Sequence, residues 1–194
     1  MPVLVPFEGE IGSAPKGFVA ALTGDGEPVS WRLEADPAVA GGRVLVERSA
    51  DATEYRFPQC VAEGFLARDV LASVRFKPIA GKVDQAGGLV VRWKDENNYY
   101  VARANALENN VRFYKVVNGR RRQLEGRDLD VTAGAWHELT IRAAGSSLAV
   151  SFDGTELYVV EDDALAEAGK VGIWTKSDSI TAFDALHAGV VDQR

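Results

Sequence analysis

In the stretch RDVLASVRFKP, residues 68–78, side chains fall into two sets of opposite character. Val70, Ala72, Val74 and Phe76 share one parity, Leu71, Ser73, Arg75 and Lys77 the other, and Pro78 closes the run. A period of two puts alternate residues on opposite faces of a strand, so this segment predicts a strand with one buried face. The same reading places strands near 43–48, 88–94, 98–105, 110–117, 136–143, 147–152, 155–160, 170–176 and 179–188. Asn118-Gly119 and Asp153-Gly154 supply the positive φ of tight hairpins, and AAGSS and DENN are further turn signals. The single helical candidate is DDALAEAG, residues 162–169, with Gly169 placed to end it. Strands at hairpin spacing, without long helices between them, exclude a parallel α/β sheet. They predict an all-β, two-sheet antiparallel jelly-roll β-sandwich with at most one or two helical turns.

The chain has 194 residues, which suits one such sandwich spanning 1–194, and no linker or repeat divides it. Hydrophobic residues make up 46% and charged ones 26%, enough to bury a sizeable core without staples. Cys60 is alone, which rules out an intrachain disulfide. A net charge of -6 and a pI of about 5.0 argue against nucleic acid and anionic lipid as partners. The basic run GRRRQ, residues 119–123, follows a turn signal and reads as a solvated hairpin tip. No apolar run reaches about 18 residues, and MPVLVPFEGE has neither a basic n-region nor a long apolar stretch. The sequence as it stands reads as neither membrane-spanning nor leader-bearing. A trimmed leader would make it periplasmic or extracellular; otherwise it is cytoplasmic.

RWKDENNYYVARANALENNVRFYKV, residues 92–116, loads three consecutive strands with Arg, Lys, Asn and aromatic side chains. In KVGIWTKSD, residues 170–178, alternation sends Val171 and Ile173 to the core and Trp174 and Lys176 outward. Arg92 alternates against Val91, Arg103 and Asn105 share a parity, and Lys115 fits either phase. On one face, Arg92, Arg103, Asn105, Lys115, Trp174 and Lys176 would form a groove with cationic donors and an aromatic plate. Guanidinium forks suit carboxylates or vicinal oxygens, and an Asn amide can both donate and accept. The alternative is a wet sheet face whose cations pair with Asp95, Glu96 and Glu108. Neither His137 nor His187 has a second His at ligand spacing, and no phosphate loop or nucleophile elbow is present.

FKPIAGKVDQAGGLVVRWKDENNYYVARANALENNVRFYKVVNG, GAWHELTIRAAGSSLAVSFDG and AGKVGIWTKSDSITAFDAL together resemble the concanavalin A-like lectin/glucanase superfamily. The likeness runs from about residue 65 to 188 and is greatest to its laminin-G-like and 3-keto-disaccharide hydrolase members. It implies two curved sheets, with sugars lying across the concave one. It also implies a structural calcium: PFEG at 6–9, AGGRVLV at 40–46 and AFDAL at 182–186 match the calcium segments, naming Glu8, a Gly41 or Gly42 carbonyl and Asp184 as ligands. The carboxylate motif of the superfamily's glucanases is missing, because Leu165 and Ala166 follow the Glu161–Asp163 pair. Cleavage of a 3-keto-glycoside needs only one base and an oxyanion stabiliser, for which Asp178 is the candidate base and Arg92, Arg103 or Lys176 the stabiliser. The expectation is a calcium-stabilised domain that binds a saccharide, acidic or oxidised ones included. The alternatives are a hydrolase or lyase of (3-keto-)saccharides and a laminin-G-like protein-interaction module.

Overall fold

The computed structural model describes residues 1–191. In chain order the strands are β1 (Val3–Leu4), β2 (Phe18–Gly24), β3 (Trp31–Ala35), β4 (Arg43–Glu47), β5 (Arg56–Ala62), β6 (Val70–Ala80), β7 (Ala86–Asp95) and β8 (Asn98–Asn105). They continue as β9 (Asn110–Val117), β10 (Arg120–Asp128), β11 (His137–Ala144), β12 (Ser147–Phe152), β13 (Thr155–Glu161), β14 (Lys170–Trp174) and β15 (Ile180–Val190). The first sheet runs β13-β12-β11-β6-β15-β4-β3, with β1 paired to β15, and the second runs β10-β9-β8-β7-β14-β5-β2. All pairings are antiparallel, and the fold is the all-β sandwich that the alternation predicts.

The core lies between the inner faces. Val74, Phe76, Leu139, Ile141 and Phe183 from the first sheet meet Leu89, Val91, Phe113, Val171 and Ile173 from the second, and none of these ten is exposed to solvent. Burying a side chain of this size contributes about 1.5–3 kcal/mol. The second sheet carries another apolar layer on its outer face, made of Phe57, Val90, Trp93, Tyr99, Val101, Tyr114, Val116 and Trp174.

That outer layer is covered because the sheet curls. Five strand steps separate β10 from β5, a span of about 24 Å on a flat sheet. Tyr55, just before β5, nevertheless donates its hydroxyl to the Gly119 carbonyl at 2.8 Å and accepts the Arg121 N–H at 2.9 Å. The outer face of the second sheet is therefore concave.

Three expectations change. Pro78 does not close its strand, since β6 runs on to Ala80 with Pro78 opposite Thr181. Residues 162–169 form turns rather than helix. Asp162 accepts the Ala164 N–H, and the Tyr100 hydroxyl accepts that of Leu165, so side chains take the amides that a short helix would need for nucleation. The basic run opens the edge strand β10, and Arg120, Arg122 and Gln123 are exposed as a solvated tip requires, but Arg121 turns inward over the Phe57 and Tyr114 rings, 4.6 and 4.3 Å from their centroids.

Candidate functional site

The floor of the concave face is a closed hydrogen-bond network. Trp174 donates Nε1–H to the Tyr99 hydroxyl at 3.2 Å, Gln59 donates to Thr23 at 2.7 Å, Thr23 and Tyr99 share a 2.8 Å bond, and Trp93 donates to Gln59 Oε1 at 3.1 Å. Phe57 stacks on Trp174 at 5.2 Å between centroids. Trp174 does point to the outer face, as alternation predicts, but it is fully buried beneath Phe57 and cannot be the plate on which a ligand lies. The curl that covers it is a long-range feature which strand parity does not report.

Arg92 is displaced by a different cause. Pairing between β7 and β8 breaks between Val91 and Asp95, and Arg92 takes a φ of 49° within that irregularity. Its buried guanidinium donates to the carbonyls of Arg68 at 2.8 Å, Leu165 at 3.2 Å and Gly145 at 2.6 Å, with Asp69 3.7 Å away. It ties loops together and does not enter the groove. Lys115 shares its parity with the core residue Phe113 and reaches Asp162 at 2.6 Å, so of the two phases left open the inward one holds.

Arg103, Asn105 and Lys176 do lie together on the concave side. Asn105 is structural: its amide nitrogen donates to Asp84 Oδ1 at 2.6 Å, while its oxygen accepts the Leu107 N–H at 2.9 Å. Lys176 is paired with the buried Asp84 carboxylate. Asp178, the candidate base, accepts N–H bonds from Lys82 at 2.7 Å, Val83 at 3.0 Å and Asp84 at 3.1 Å. Burial alone would raise its pKa, but these N–H groups hold it below the usual carboxylate value, which fits a loop pin better than a proton acceptor.

The remaining groups have open valences. Arg103, only 4% exposed, donates Nη1–H to Glu108 at 2.9 Å and Nη2–H to the Tyr114 hydroxyl at 2.9 Å, leaving Nε without a partner. Asn110 donates to Glu108 at 3.1 Å while its Oδ1 is unmatched. Arg121 has π faces for neighbours and an unpartnered Nη1, and among the described residues it has no carboxylate within salt-bridge distance. Burial pulls the Arg121 pKa below the usual guanidinium value. For Arg103 the pull of burial is overcome by Tyr114 and Glu108, and its pKa rises. Of five buried side-chain atoms lacking a partner among the described residues, three lie on the adjacent strands β8, β9 and β10, with Arg103 and Arg121 both against the Tyr114 ring. Buried polar groups are nearly always satisfied, so these three atoms are hydrogen-bonding capacity left unused on this side of the sheet. Arg121, Tyr114 and Asn110 were not singled out from sequence; the signal was the arginine run itself, read there as solvated.

Three of the four expected calcium ligands, Glu8, Gly41 and Asp184, line one cavity. A cavity of about 790 Å³ on the other sheet is lined by Glu8, Gly9, Gly41, Arg43, Arg75, Asp184 and His187, among others. Asp184 faces it beside Ala185, which has a φ of 51° where the β15–β6 register shifts. Glu8 and Asp184 carboxylates with the Gly41 carbonyl are hard oxygen donors of the kind calcium takes. Arg75, its side chain 42% exposed, holds Asp184 at 3.3 Å, and no group of three His, Cys, Asp or Glu suited to a metal occurs among the described residues. Gly42, whose carbonyl accepts the Asp36 N–H at 3.0 Å, does not line the cavity. A bound ion would therefore rely on backbone carbonyls and water beside these two carboxylates.

No family model matches the chain, and no curated protein matches it. Solved structures do. A carbohydrate-binding module, CBM66 from Bacillus subtilis, is similar with a TM-score of 0.70 at 20% identity, covering 93% of this chain and 98% of the module. A Bacillus subtilis protein of unknown function with a galectin-like fold gives 0.63 at 8% identity, covering 92% and 91%. A Caenorhabditis elegans galectin gives 0.50 at 9% identity over 62% and 82% of the two chains. The shared feature is the galectin-like sandwich fold.

Proposed function

We propose that this domain binds a saccharide on its concave sheet, between Arg103, Asn110, Tyr114 and Arg121. The observation that carries the reading is the set of buried, unpartnered polar atoms of Arg103, Asn110 and Arg121, with the Tyr114 ring against both arginines. Sugar hydroxyls donate and accept at once, matching the Asn110 oxygen beside the Arg103 Nε–H. A desolvated guanidinium without a counter-ion favours a ligand that also bears a carboxylate, so an acidic saccharide is the preferred class. The likeness in fold to a carbohydrate-binding module and a galectin supports the same reading. Calorimetry with neutral, uronic-acid and 3-keto oligosaccharides tests it. Arg121→Ala and Arg103→Ala are expected to weaken binding at least about tenfold, the loss of one charge-assisted hydrogen bond. Absence of binding to every saccharide would remove the reading. Mass spectrometry of the same mixtures separates binding from cleavage: an Arg103-dependent product would move the domain to the hydrolase or lyase class.

A second proposal concerns the opposite sheet. Calcium held by Glu8, Gly41 and Asp184 would staple the N-terminal segment to β15, and the support is the convergence of these three on one cavity. The expected outcome is a higher Tm in calcium than in EDTA, with the difference abolished in Asp184→Asn. Superimposable melts would end this proposal and leave the saccharide reading untouched.

A further inference from the structure

The Arg103–Glu108 pair is asymmetric. Arg103 is 4% exposed and fixed by the Tyr114 hydroxyl, whereas the Glu108 side chain is 46% exposed on the short turn joining β8 to β9. That turn is braced from below by Asn105, whose side-chain oxygen accepts the Leu107 N–H, so its backbone is set while the Glu108 carboxylate reaches back to Arg103 at 2.9 Å and Asn110 at 3.1 Å. The two groups that Glu108 engages are the ones whose other atoms, Arg103 Nε and Asn110 Oδ1, have no partner. A surface carboxylate thus sits at the mouth of the site, on a buried cation that a ligand carboxylate would seek.

We propose that Glu108 is an internal stand-in for the carboxylate of an acidic saccharide, and that the ligand binds by displacing it from Arg103. This rests on the saccharide reading of the concave site. Glu108 then sets specificity: it taxes acidic ligands, which must evict it from Nη1, and leaves unaffected neutral ligands that use only the Arg103 Nε–H and the Asn110 oxygen. Glu108 is itself 46% exposed, so water takes up its evicted carboxylate while the ligand carboxylate replaces it on the buried guanidinium, and moving the glutamate aside costs the turn no backbone bond.

The test measures affinities of wild type, Glu108→Gln and Glu108→Ala for a panel of uronic-acid oligosaccharides and their neutral counterparts. Both variants alter an exposed turn, and equal melting temperatures would verify that the fold is kept. The expected result is a gain of about tenfold for the acidic members alone, a shift in binding free energy of about 1.4 kcal/mol. No gain, or a matching loss for acidic and neutral ligands, overturns the proposal while leaving the binding site in place, since the second result makes Glu108 a direct ligand contact. Absence of binding by all three proteins overturns both the proposal and the reading beneath it.

Discussion

Individual side chains on the concave face divide into those with every valence used and those with one left over. Trp174 belongs to the first class. It is packed under Phe57 and bonded to Tyr99, so Trp174→Ala should cost about 3–5 kcal/mol by opening a cavity, measurable by urea denaturation. A loss of saccharide binding with unchanged stability would mean the ring is reachable after all. Asp178 also has its valences used, and its pKa is lowered in the fold. A depressed carboxylate contributes stability that is present above its ordinary value near 3.8 and lost as pH falls through the folded value. Asp178→Asn should therefore melt lower than wild type at pH 6, with the gap closing toward pH 2. A gap independent of pH would show that charge plays no part in the pin.

At the scale of strands, the irregularities matter most. Residues 92–94 interrupt the β7–β8 ladder, and Arg92 uses its positive φ to send a guanidinium to three loop carbonyls. Arg92→Ala would strand those carbonyls and is expected to cost about 2–4 kcal/mol. It should also make the 162–169 segment, held through Leu165, susceptible to limited proteolysis, while saccharide affinity per folded molecule stays constant. This residue shows where sequence reading stops. Alternation placed Arg103, Asn105 and Trp174 on the correct face, because β8 and the end of β14 are regular around them, while Lys176 lies just past β14 and is held on that side by Asp84. It failed at Arg92 because a ladder break resets parity without a glycine or proline to announce it. It also missed β1, β2, β3 and β5 in the N-terminal third, and β10, whose arginine-rich start reads as solvated until the curl of the sheet sets Phe57 beneath Arg121.

For the whole molecule, the two sheets divide the labour. The outer face of one presents the arginine site, and the other carries the cavity where the calcium proposal lies, with the shared core between them. A change at either place should leave the other intact, since additivity holds between distant sites without shared partners. Val3 pairs with Ala188 and Leu4 with His187, so the first strand and the last are neighbours in the same sheet, away from the arginine face. The polypeptide nearly closes on itself. Its order along the chain is thus separable from its shape: a circular permutant joined across this seam and opened at the exposed Asp153-Gly154 turn should retain the sandwich and its concave surface.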